Sequence, residues 1–269
     1  MAMELLPDEL WEEVEPLLPS PPPQPRGGRP FCDNRAALLG IIFVLRSGMP
    51  WQMIPREMPC PSGSTCWRRL RQWTEAGVWE HVHQRLLTRL GKLGEVDLSY
   101  AVIDSASVRA VFGGANTGPN PTDRAKKGCK RHVITDANGL PLVVHTTPAN
   151  LRDDMPALQM VRAMPAIQGP RGRPRRKPHA LIGDRGYGFP WIISAIMAMG
   201  IEPLLCPRGS EHGSGLGRRR YVVERTLAWF GQCRRIKLCY EKCGEHFQAF
   251  HDLAACLLCA NKLKRLDRL

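Results

Sequence analysis

The most informative stretch of this chain is YAVIDSASV, residues 100–108, in which an acidic residue directly follows an apolar run. The run Ala101–Ile103, bounded by turn-forming residues, is typical of a buried strand. A carboxylate at the end of such a strand costs several kcal/mol unless it is ion-paired or bound to a cation. Asp104 is therefore a candidate metal ligand, and the plainer alternative is an aspartate that caps a turn.

A second stretch repeats this pattern: ALIGDRGYG, residues 180–188, in which Asp184 follows a short apolar run. The next residues, Arg185 and Gly186, also suit a turn, so a turn aspartate remains the alternative here too. Because 80 residues separate Asp104 from Asp184, the two can meet only if their strands are neighbours in one sheet.

A third acid, Glu224, lies in a helical pattern within RRRYVVERTLAWF. Helical spacing puts on one stripe Arg220, Glu224, Ala228, Gly231 and Arg235. The alternative is a surface Arg220–Glu224 ion pair, which contributes little to stability. Three carboxylates from two strands and a helix would form an oxygen-only site, the kind that Mg²⁺ and Mn²⁺ prefer.

Other acids have simpler explanations. Asp136 opens a hairpin turn, Asp153 or Asp154 caps a helix, and Glu211 lies in a Gly/Ser-rich loop. These acids are therefore weaker candidates for the third ligand than Glu224.

The hydrophobic pattern divides the chain into two regions. Residues 1–95 show helical spacing throughout, whereas three strands are predicted at residues 100–108, 130–139 and 140–149, followed by helices and strands in alternation. We therefore predict a mixed α/β fold, with a small all-helical N-terminal domain before a catalytic domain over residues 96–269.

The net charge of +13 and a pI near 9.6 indicate an anionic partner, and nucleic acid is the one we expect. The candidate DNA contacts are Arg68, Arg69 and Arg71 in the helical region, Lys130 and Arg131 in the second strand, Arg173, Arg175 and Arg176 in a basic loop, and Arg220, Arg234 and Arg235 near Glu224. The helical-region arginines fit either a helix-turn-helix contact or a solvated helix face. The prolines in the loop exclude a groove-entering helix, which leaves phosphate contacts or a solvated loop.

The chain has ten cysteines, and some of them have a spacing close to that of a zinc site. The residues concerned are Cys239, Cys243, Cys256 and Cys259, with His246 and His251 nearby. The surrounding sequence AFHDLAACLLCANKLKRL instead reads as one amphipathic helix, so we expect free thiols and no zinc. No apolar run reaches 18 residues and the acidic N-terminus does not match a signal peptide, so we expect a cytoplasmic protein without a membrane span.

Together, these motifs resemble bacterial insertion-sequence transposases of the DDE class, the "insertion sequence five" family in particular. In the first region the resemblance rests on GRPFCDNRAALLGIIFVLRSGMPWQMIPRE and WRRLRQWTEAGVWE. In the second it rests on VIDSASVRA, GCKRHVITDANGLPL, TPANLRDD, LIGDRGYG and RYVVERTLAWFGQCRRIKLCYE. Several independent motifs in the right order, over nearly the whole chain, make the resemblance specific.

The resemblance implies an RNase H-like catalytic domain with a metal-binding triad of Asp104, Asp184 and Glu224. It also implies that the N-terminal domain binds the terminal inverted repeats of a mobile element. We accordingly expect double-stranded DNA as partner, Mg²⁺ as cofactor with Mn²⁺ as a substitute, and a homodimer on DNA.

One motif departs from the family. Related transposases carry Tyr-x2-Arg-x3-Glu-x6-Lys around the glutamate. Here Arg220 matches the arginine, but Gly217 and Gly231 stand at the tyrosine and lysine positions. Arg234 and Arg235 are the candidates to supply the missing cation.

The leading hypothesis is a cut-and-paste DNA transposase that cleaves DNA at the ends of the element and transfers the freed strands. Two alternatives stay open: a catalytically silent DNA-binding protein derived from a transposase, and a structure-selective nuclease of the same fold. Metal-dependent nicking distinguishes the first alternative from the transposase, and strand transfer distinguishes the second.

Overall fold

The computed structural model describes residues 5–20, 30–206 and 217–266 and shows a group of helices followed by a mixed α/β region. The α-helices are α1 (Asp8–Val14), α2 (Asn34–Ser47), α3 (Gly63–Glu75), α4 (Val78–Lys92), α5 (Asp154–Ala163), α6 (Pro190–Ala198), α7 (Gly217–Phe230), α8 (Arg234–Lys237) and α9 (Gly244–Leu266). The strands are β1 (Tyr100–Arg109), β2 (Gly118–Pro119), β3 (Lys127–Asp136), β4 (Pro141–Pro148), β5 (Ala180–Gly183) and β6 (Glu202–Leu205). This is the mixed architecture, with helices first, that the sequence predicts.

Local sequence signals account for the helix ends. Asp33 caps α2 by accepting a hydrogen bond from the backbone N–H of Ala36 at 2.7 Å, and Gly48 ends the helix with a positive φ of 72°. Ser62 caps α3 in the same way. Both helix starts therefore follow from capping residues within a few positions in the sequence.

The sheet is built around β1. The strand order is β2-β3-β1-β5-β6, with β4 paired to the outer edge of β3. β1 runs antiparallel to β3 and parallel to β5, and β5 runs parallel to β6. The predicted hairpin joins β3 to β4, and Asp136 stabilises its turn by accepting hydrogen bonds from the backbone N–H groups of Asn138 and Leu140.

Asp104 lies within β1 and not at its end, which corrects the sequence-based expectation. The parallel pairing with β5 reaches only Val102, whereas the antiparallel pairing with β3 continues to Arg109. Asp104 therefore marks the point where β5 leaves the sheet while β1 continues.

Helix α7 is fixed on the sheet by the turn between β3 and β4. The hydroxyl of Thr226 donates to the carbonyl oxygen of Gly139 at 2.6 Å, and Arg225 Nη2 donates to the carbonyl oxygen of Asn138 at 2.6 Å. Gly139 has a φ of 87°, and a Cβ there would lie 2.9 Å from Arg225 Nη2. Glycine thus permits both the turn and the close approach of the helix.

The C-terminal helix α9 joins the two regions. It packs against α1, α3 and α4 on one side and against β4 on the other. Phe250 of α9 stacks on Trp51, with ring centroids 6.0 Å apart. The helical region and the sheet therefore share a continuous core of buried apolar residues. Across the residues described, no helix has the length and apolar character needed to cross a membrane.

Replacing Gly139 by Ala should destabilise the protein more than replacing Gly200 by Ala. Both glycines have positive φ, but a Cβ at Gly200 meets nothing within 4 Å. Gly200→Ala should therefore cost about 1–2 kcal/mol for backbone strain alone. Gly139→Ala should cost roughly 1 kcal/mol more, because the added Cβ displaces the hydrogen-bonded guanidinium of Arg225. Urea unfolding measures both values, and equal losses would mean that the α7–turn contact contributes little.

Candidate active site

The two aspartates lie side by side on neighbouring strands. In the parallel pairing of β1 with β5, Tyr100 is opposite Ala180 and Val102 is opposite Ile182. Asp104 and Asp184 each lie two residues beyond this last pair, so both follow the same register toward the same end of the two strands. The meeting of the two strands, which the sequence could state only as a condition, is present in the structure.

A backbone N–H group holds each of the two carboxylates. Oδ1 of Asp104 accepts from the N–H of Ser105 at 2.8 Å, and Oδ1 of Asp184 accepts from the N–H of Gly186 at 2.8 Å. The second bond belongs to the short 3-10 turn that follows β5. The turn interpretation of Asp184 is thus correct as local structure, and it is compatible with a role as a ligand.

Helix α7 brings Arg220 and Glu224 to the aspartates, because it packs on β1, β3 and β5. Arg220 Nη2 lies 3.8 Å from Asp104 Oδ2. Glu224 is one helical turn further on and exposed. The helix ends at Phe230, so the stripe predicted to include Gly231 and Arg235 stops at Ala228.

The pKa of Asp104 shows that the carboxyl is buried and close to other charged groups. Burial raises the pKa of this carboxyl to about 6, against the opposing effects of the Ser105 N–H and the Arg220 guanidinium. The negative charges of Asp184 and Glu224 raise the pKa further. All three acids of the predicted triad are therefore electrostatic neighbours.

The donor set of the three acids suits a hard divalent cation, because it consists of carboxylate oxygens alone. In the arrangement seen here the acids do not form a complete coordination shell: within the described ranges, no three acidic, histidine or cysteine side chains lie close enough to one another to hold an ion. Arg220 supplies the positive charge beside Asp104 instead. Glu224, exposed on its helix, is the member of the set with the most freedom to move.

The opposite face of β1 carries a polar network that the sequence did not reveal. Asp153 Oδ1 accepts from the hydroxyl of Ser105 at 2.8 Å and lies 3.0 Å from Lys130 Nζ. Lys130 also donates to the carbonyl oxygen of Leu151 at 2.8 Å. The buried ring of Tyr187 lies beside this network, and burial followed by the charges of nearby acids holds the pKa of its hydroxyl well above the usual range.

This network changes two sequence-based interpretations. Asp153 or Asp154 was expected to cap α5. Asp153 makes no capping hydrogen bond and instead supports the residue after Asp104, and Asp154 accepts from the side chain of Arg152. Lys130 was expected to contact DNA, but its ammonium group is bound within the protein. The ANLRDD sequence held a hint of this role, since it contains two adjacent acids and one helix start accounts for only one of them.

Arg235 does not face DNA as predicted. It is 6% exposed and forms an ion pair with Glu241 at 2.6 Å. It also donates to the carbonyl oxygen of Met49 at 3.3 Å, and aromatic rings surround it. The reason is the early end of α7, which turns the chain inward before Arg235. This arginine therefore joins the helical region to the C-terminal part of the chain.

The remaining predicted DNA contacts differ in exposure. Arg69 is buried, donates to Gln72 at 2.8 Å and lies over the ring of Phe31, so it faces the protein and not solvent. Arg131 is also buried. The predicted contacts with exposed side chains are Arg68, Arg71, Arg173, Arg175, Arg176 and Arg234.

The basic loop has a defined backbone conformation. Ile167 and Arg175 exchange two backbone hydrogen bonds of 2.8 and 2.9 Å, and the side-chain amide of Gln168 donates to the carbonyl oxygen of Gly172 at 3.0 Å. The side chains from Arg171 to Lys177 are all exposed. No ion pair within the described part of the chain involves the loop arginines. The loop therefore presents its positive charge to solvent on an ordered turn.

Two of the cysteines with zinc-like spacing, Cys256 and Cys259, lie inside α9 and in the apolar core. Burial raises the pKa of both thiols. The continuous helix predicted from AFHDLAACLLCANKLKRL is confirmed. Glu211, the acid of the Gly/Ser-rich loop, lies outside the described residues.

Comparison with known proteins identifies the family of the chain. Residues 97–259 match the transposase DDE domain, and residues 6–83 match a family described as putative transposase of the IS4/5 family. The chain belongs to the DDE transposases. It is therefore a DNA transposase, a class of enzymes that depends on divalent metal ions.

Two relatives come from Burkholderia cepacia. The putative transposase for insertion sequence element IS402 is 45% identical over 157 residues, which cover 58% of this chain and 74% of the relative. The insertion element IS402 uncharacterized 16.2 kDa protein is 50% identical over 125 residues, which cover 45% of this chain and 84% of the relative. No solved structure matches the transposase.

Replacing Asp104 by Asn should stabilise the transposase in the absence of metal and DNA. When the pKa of a carboxyl is raised by burial, the charge-dependent cost is absent at low pH, grows between the usual pKa of 3.8 and the raised pKa of about 6, and is constant above that. The gain in the free energy of unfolding should be smallest near pH 4 and reach roughly 2–3 kcal/mol above pH 7. Urea unfolding in EDTA across this pH range measures it.

The matched control is Glu57→Gln, which neutralises an exposed acid far along the chain from the site. That variant should change the free energy of unfolding by less than about 0.5 kcal/mol at every pH. A loss of stability in Asp104→Asn at pH 8 would mean that the ion pair with Arg220 outweighs the cost of burial.

Proposed function

We propose that this transposase binds the terminal inverted repeats of an insertion sequence, cleaves DNA strands at the ends of the element and joins them to target DNA. One observation carries the proposal: Asp104 and Asp184 follow the same register on neighbouring parallel strands, and α7 brings Arg220 and Glu224 to them. The strand order, with an antiparallel hairpin beside parallel β1, β5 and β6, supports an RNase H-like catalytic domain.

In this proposal Asp104, Asp184 and Glu224 hold Mg²⁺, and Mn²⁺ substitutes for it. A divalent ion at this place supplies Lewis-acid activation of the attacking oxygen and stabilisation of the leaving oxygen. The backbone N–H groups of Ser105 and Gly186 keep the two aspartates oriented. Glu224 completes the set by turning toward them, a change that an exposed side chain on a fixed helix can make at low cost.

Arg220 has two roles in this proposal. While it lies against Asp104 it reduces the repulsion among the three acids. With a divalent cation held by the acids, the Arg220 guanidinium would be free to bind a phosphate of the DNA strand, for which its planar donors are suited. Arg234, which begins α8 and is exposed, is the remaining candidate for the cation that Gly231 does not supply.

DNA binding away from the acids is assigned to exposed cations. Arg68 and Arg71 lie on α3 in the helical region, where we place recognition of the inverted repeats. The loop arginines Arg173, Arg175 and Arg176 are placed on DNA phosphates. Because both ends of an element have to be joined in one reaction, we propose a homodimer on DNA.

The central test is the loss of strand cleavage in Asp104→Asn. Cleavage of DNA carrying the element's inverted repeats should fall by at least ~100-fold, because a ligand is removed, while binding of the same DNA persists. The control Glu57→Gln should cleave like the wild type. Cleavage that survives in Asp104→Asn would remove the triad from the mechanism.

The wild-type protein distinguishes the remaining functions. Binding without metal-dependent nicking would indicate the catalytically silent DNA-binding protein. Nicking without joining of the freed 3′-hydroxyl to a target would indicate the structure-selective nuclease. Joined products, seen on a denaturing gel with labelled element ends, are the result that the proposal requires.

The basic loop should contact DNA phosphates and not bases. Replacing Arg173, Arg175 and Arg176 by Gln should weaken binding to every DNA sequence about equally. The slope of log affinity against log salt should become shallower by up to about 2.7. The equally charged control replaces Arg35, Arg85 and Arg89, which already pair with acids of α1, and it should leave the slope near the wild-type value. An unchanged slope in the loop variant would place the loop off the DNA.

A further inference from the structure

Arg131 is a buried cation without an acidic partner. It is 8% exposed, and its Nε and Nη1 atoms have no hydrogen-bond partner. None of the ion pairs in the described part of the chain includes it. Burial lowers the pKa of its guanidinium to about 10, so it remains charged at neutral pH. Such a group is a large cost to the folded state unless something else neutralises it.

A neighbouring histidine does not neutralise it. His251 lies close enough that the charge of Arg131, after the larger effect of burial, lowers the pKa of the imidazole to about 3. His251 Nδ1 is 2.8 Å from the carbonyl oxygen of Phe247, so Nδ1 donates and Nε2 is left as a buried acceptor without a partner. Even a hydrogen bond from Arg131 to Nε2 would leave the positive charge uncompensated, because the ring is neutral.

Sheet register places Arg131 on the catalytic face. In the pairing of β1 with β3, Ala106 is opposite Arg131 and Asp104 is opposite Val133. Arg131 is therefore the diagonal neighbour of Asp104, with side chains on the same face about 7–8 Å apart at their bases. The backbone position of Arg131 is therefore next to that of Asp104 on this face of the sheet, while its guanidinium group lies near His251 and Cys233.

A second unpaired arginine approaches the same place from the helical region. Arg46 lies in the last turn of α2, is half-buried, and forms no ion pair among the described residues. Both arginines lie near the thiol of Cys233. Burial raises the pKa of this thiol to about 11, and the charges of Arg46 and Arg131 oppose that rise. Arg131 is the buried member of this group and Arg46 and Cys233 are half-buried, so we treat the three residues as one candidate anion pocket.

We propose that Arg131 and Arg46 together form a binding site for one phosphate of the DNA strand that passes over the carboxylates. The inference rests on the proposed function, because it takes the DNA path to pass over Asp104. Two guanidinium groups with free donors match the charge and geometry of a phosphate. The cost of the buried charge is then offset only when DNA is bound.

A substitution that places an anion in the pocket tests the proposal directly. Cys233→Asp introduces a carboxylate between the two arginines, and Cys233→Asn is its uncharged control of the same shape. In the DNA-free protein Cys233→Asp should have the higher Tm of the two. Its affinity for DNA carrying the inverted repeats should be lower, and its salt slope shallower by about 0.9, the value for one phosphate.

Arg131→Gln provides a second variant in case substitution of Cys233 disturbs the packing. Removal of an unpaired buried charge should raise the Tm of the DNA-free protein, whereas loss of a structural contact would lower it. Inorganic phosphate should raise the Tm of the wild type and not that of Arg131→Gln. Differential scanning fluorimetry measures all three proteins.

The outcomes separate this site from the proposed function. Phosphate stabilisation that depends on Arg131, in a protein that neither cleaves nor joins element ends, keeps the pocket as a free-phosphate site and overturns its assignment to DNA. Normal cleavage by the wild type, with an unchanged salt slope in Arg131→Gln and Cys233→Asp, overturns the pocket and leaves the proposed function standing. A lower Tm in Cys233→Asp than in Cys233→Asn also overturns it.

Discussion

The parallel pairing of β1 with β5 is the constraint on which the rest of the site depends. It brings together two aspartates that are 80 residues apart in the sequence, and it does so through backbone hydrogen bonds that do not involve the carboxylates. A shift of one residue in this register would turn one aspartate to the opposite face of the sheet. Everything else at the site is arranged around this pair: α7 lies over one face and the Asp153 network supports the other.

Local signals were sufficient to predict much of the fold. The caps of α2 and α3, the hairpin turn at Asp136 and the glycine that ends α2 each act over a few residues, so the sequence states them directly. The three predicted acids also came from local patterns, and the structure makes them electrostatic neighbours. What could not be predicted depends on pairing between distant segments. For example, β1 continues past Asp104 because it pairs with β3 as far as Arg109, and no residue near Asp104 in the sequence indicates this pairing.

The same distinction explains the arginines. Arg220 and Arg235 both lie in the RYVVERTLAWFGQCRRIKLCYE segment and looked equivalent on a helical stripe, yet one lies beside Asp104 and the other is buried against Glu241. The sequence shows that a residue is charged, but it does not show which charged side chains already form ion pairs or hydrogen bonds within the protein. Lys130 and Arg69 were misassigned for that reason. The net charge of +13 is therefore a poor count of the cations that DNA can reach.

The packing of helix α9 has a consequence for the distance between the helical region and the carboxylates. Because it packs on the first helices and on β4 at once, the helical region has no hinge-like separation from the sheet. If that region holds a repeat sequence, the number of base pairs between the repeat and the carboxylates would be fixed. The packing of the protein core would then determine the position of the cut. A mutation of a buried apolar residue in α9 would move the cut although that residue contacts neither DNA nor any of the three acids.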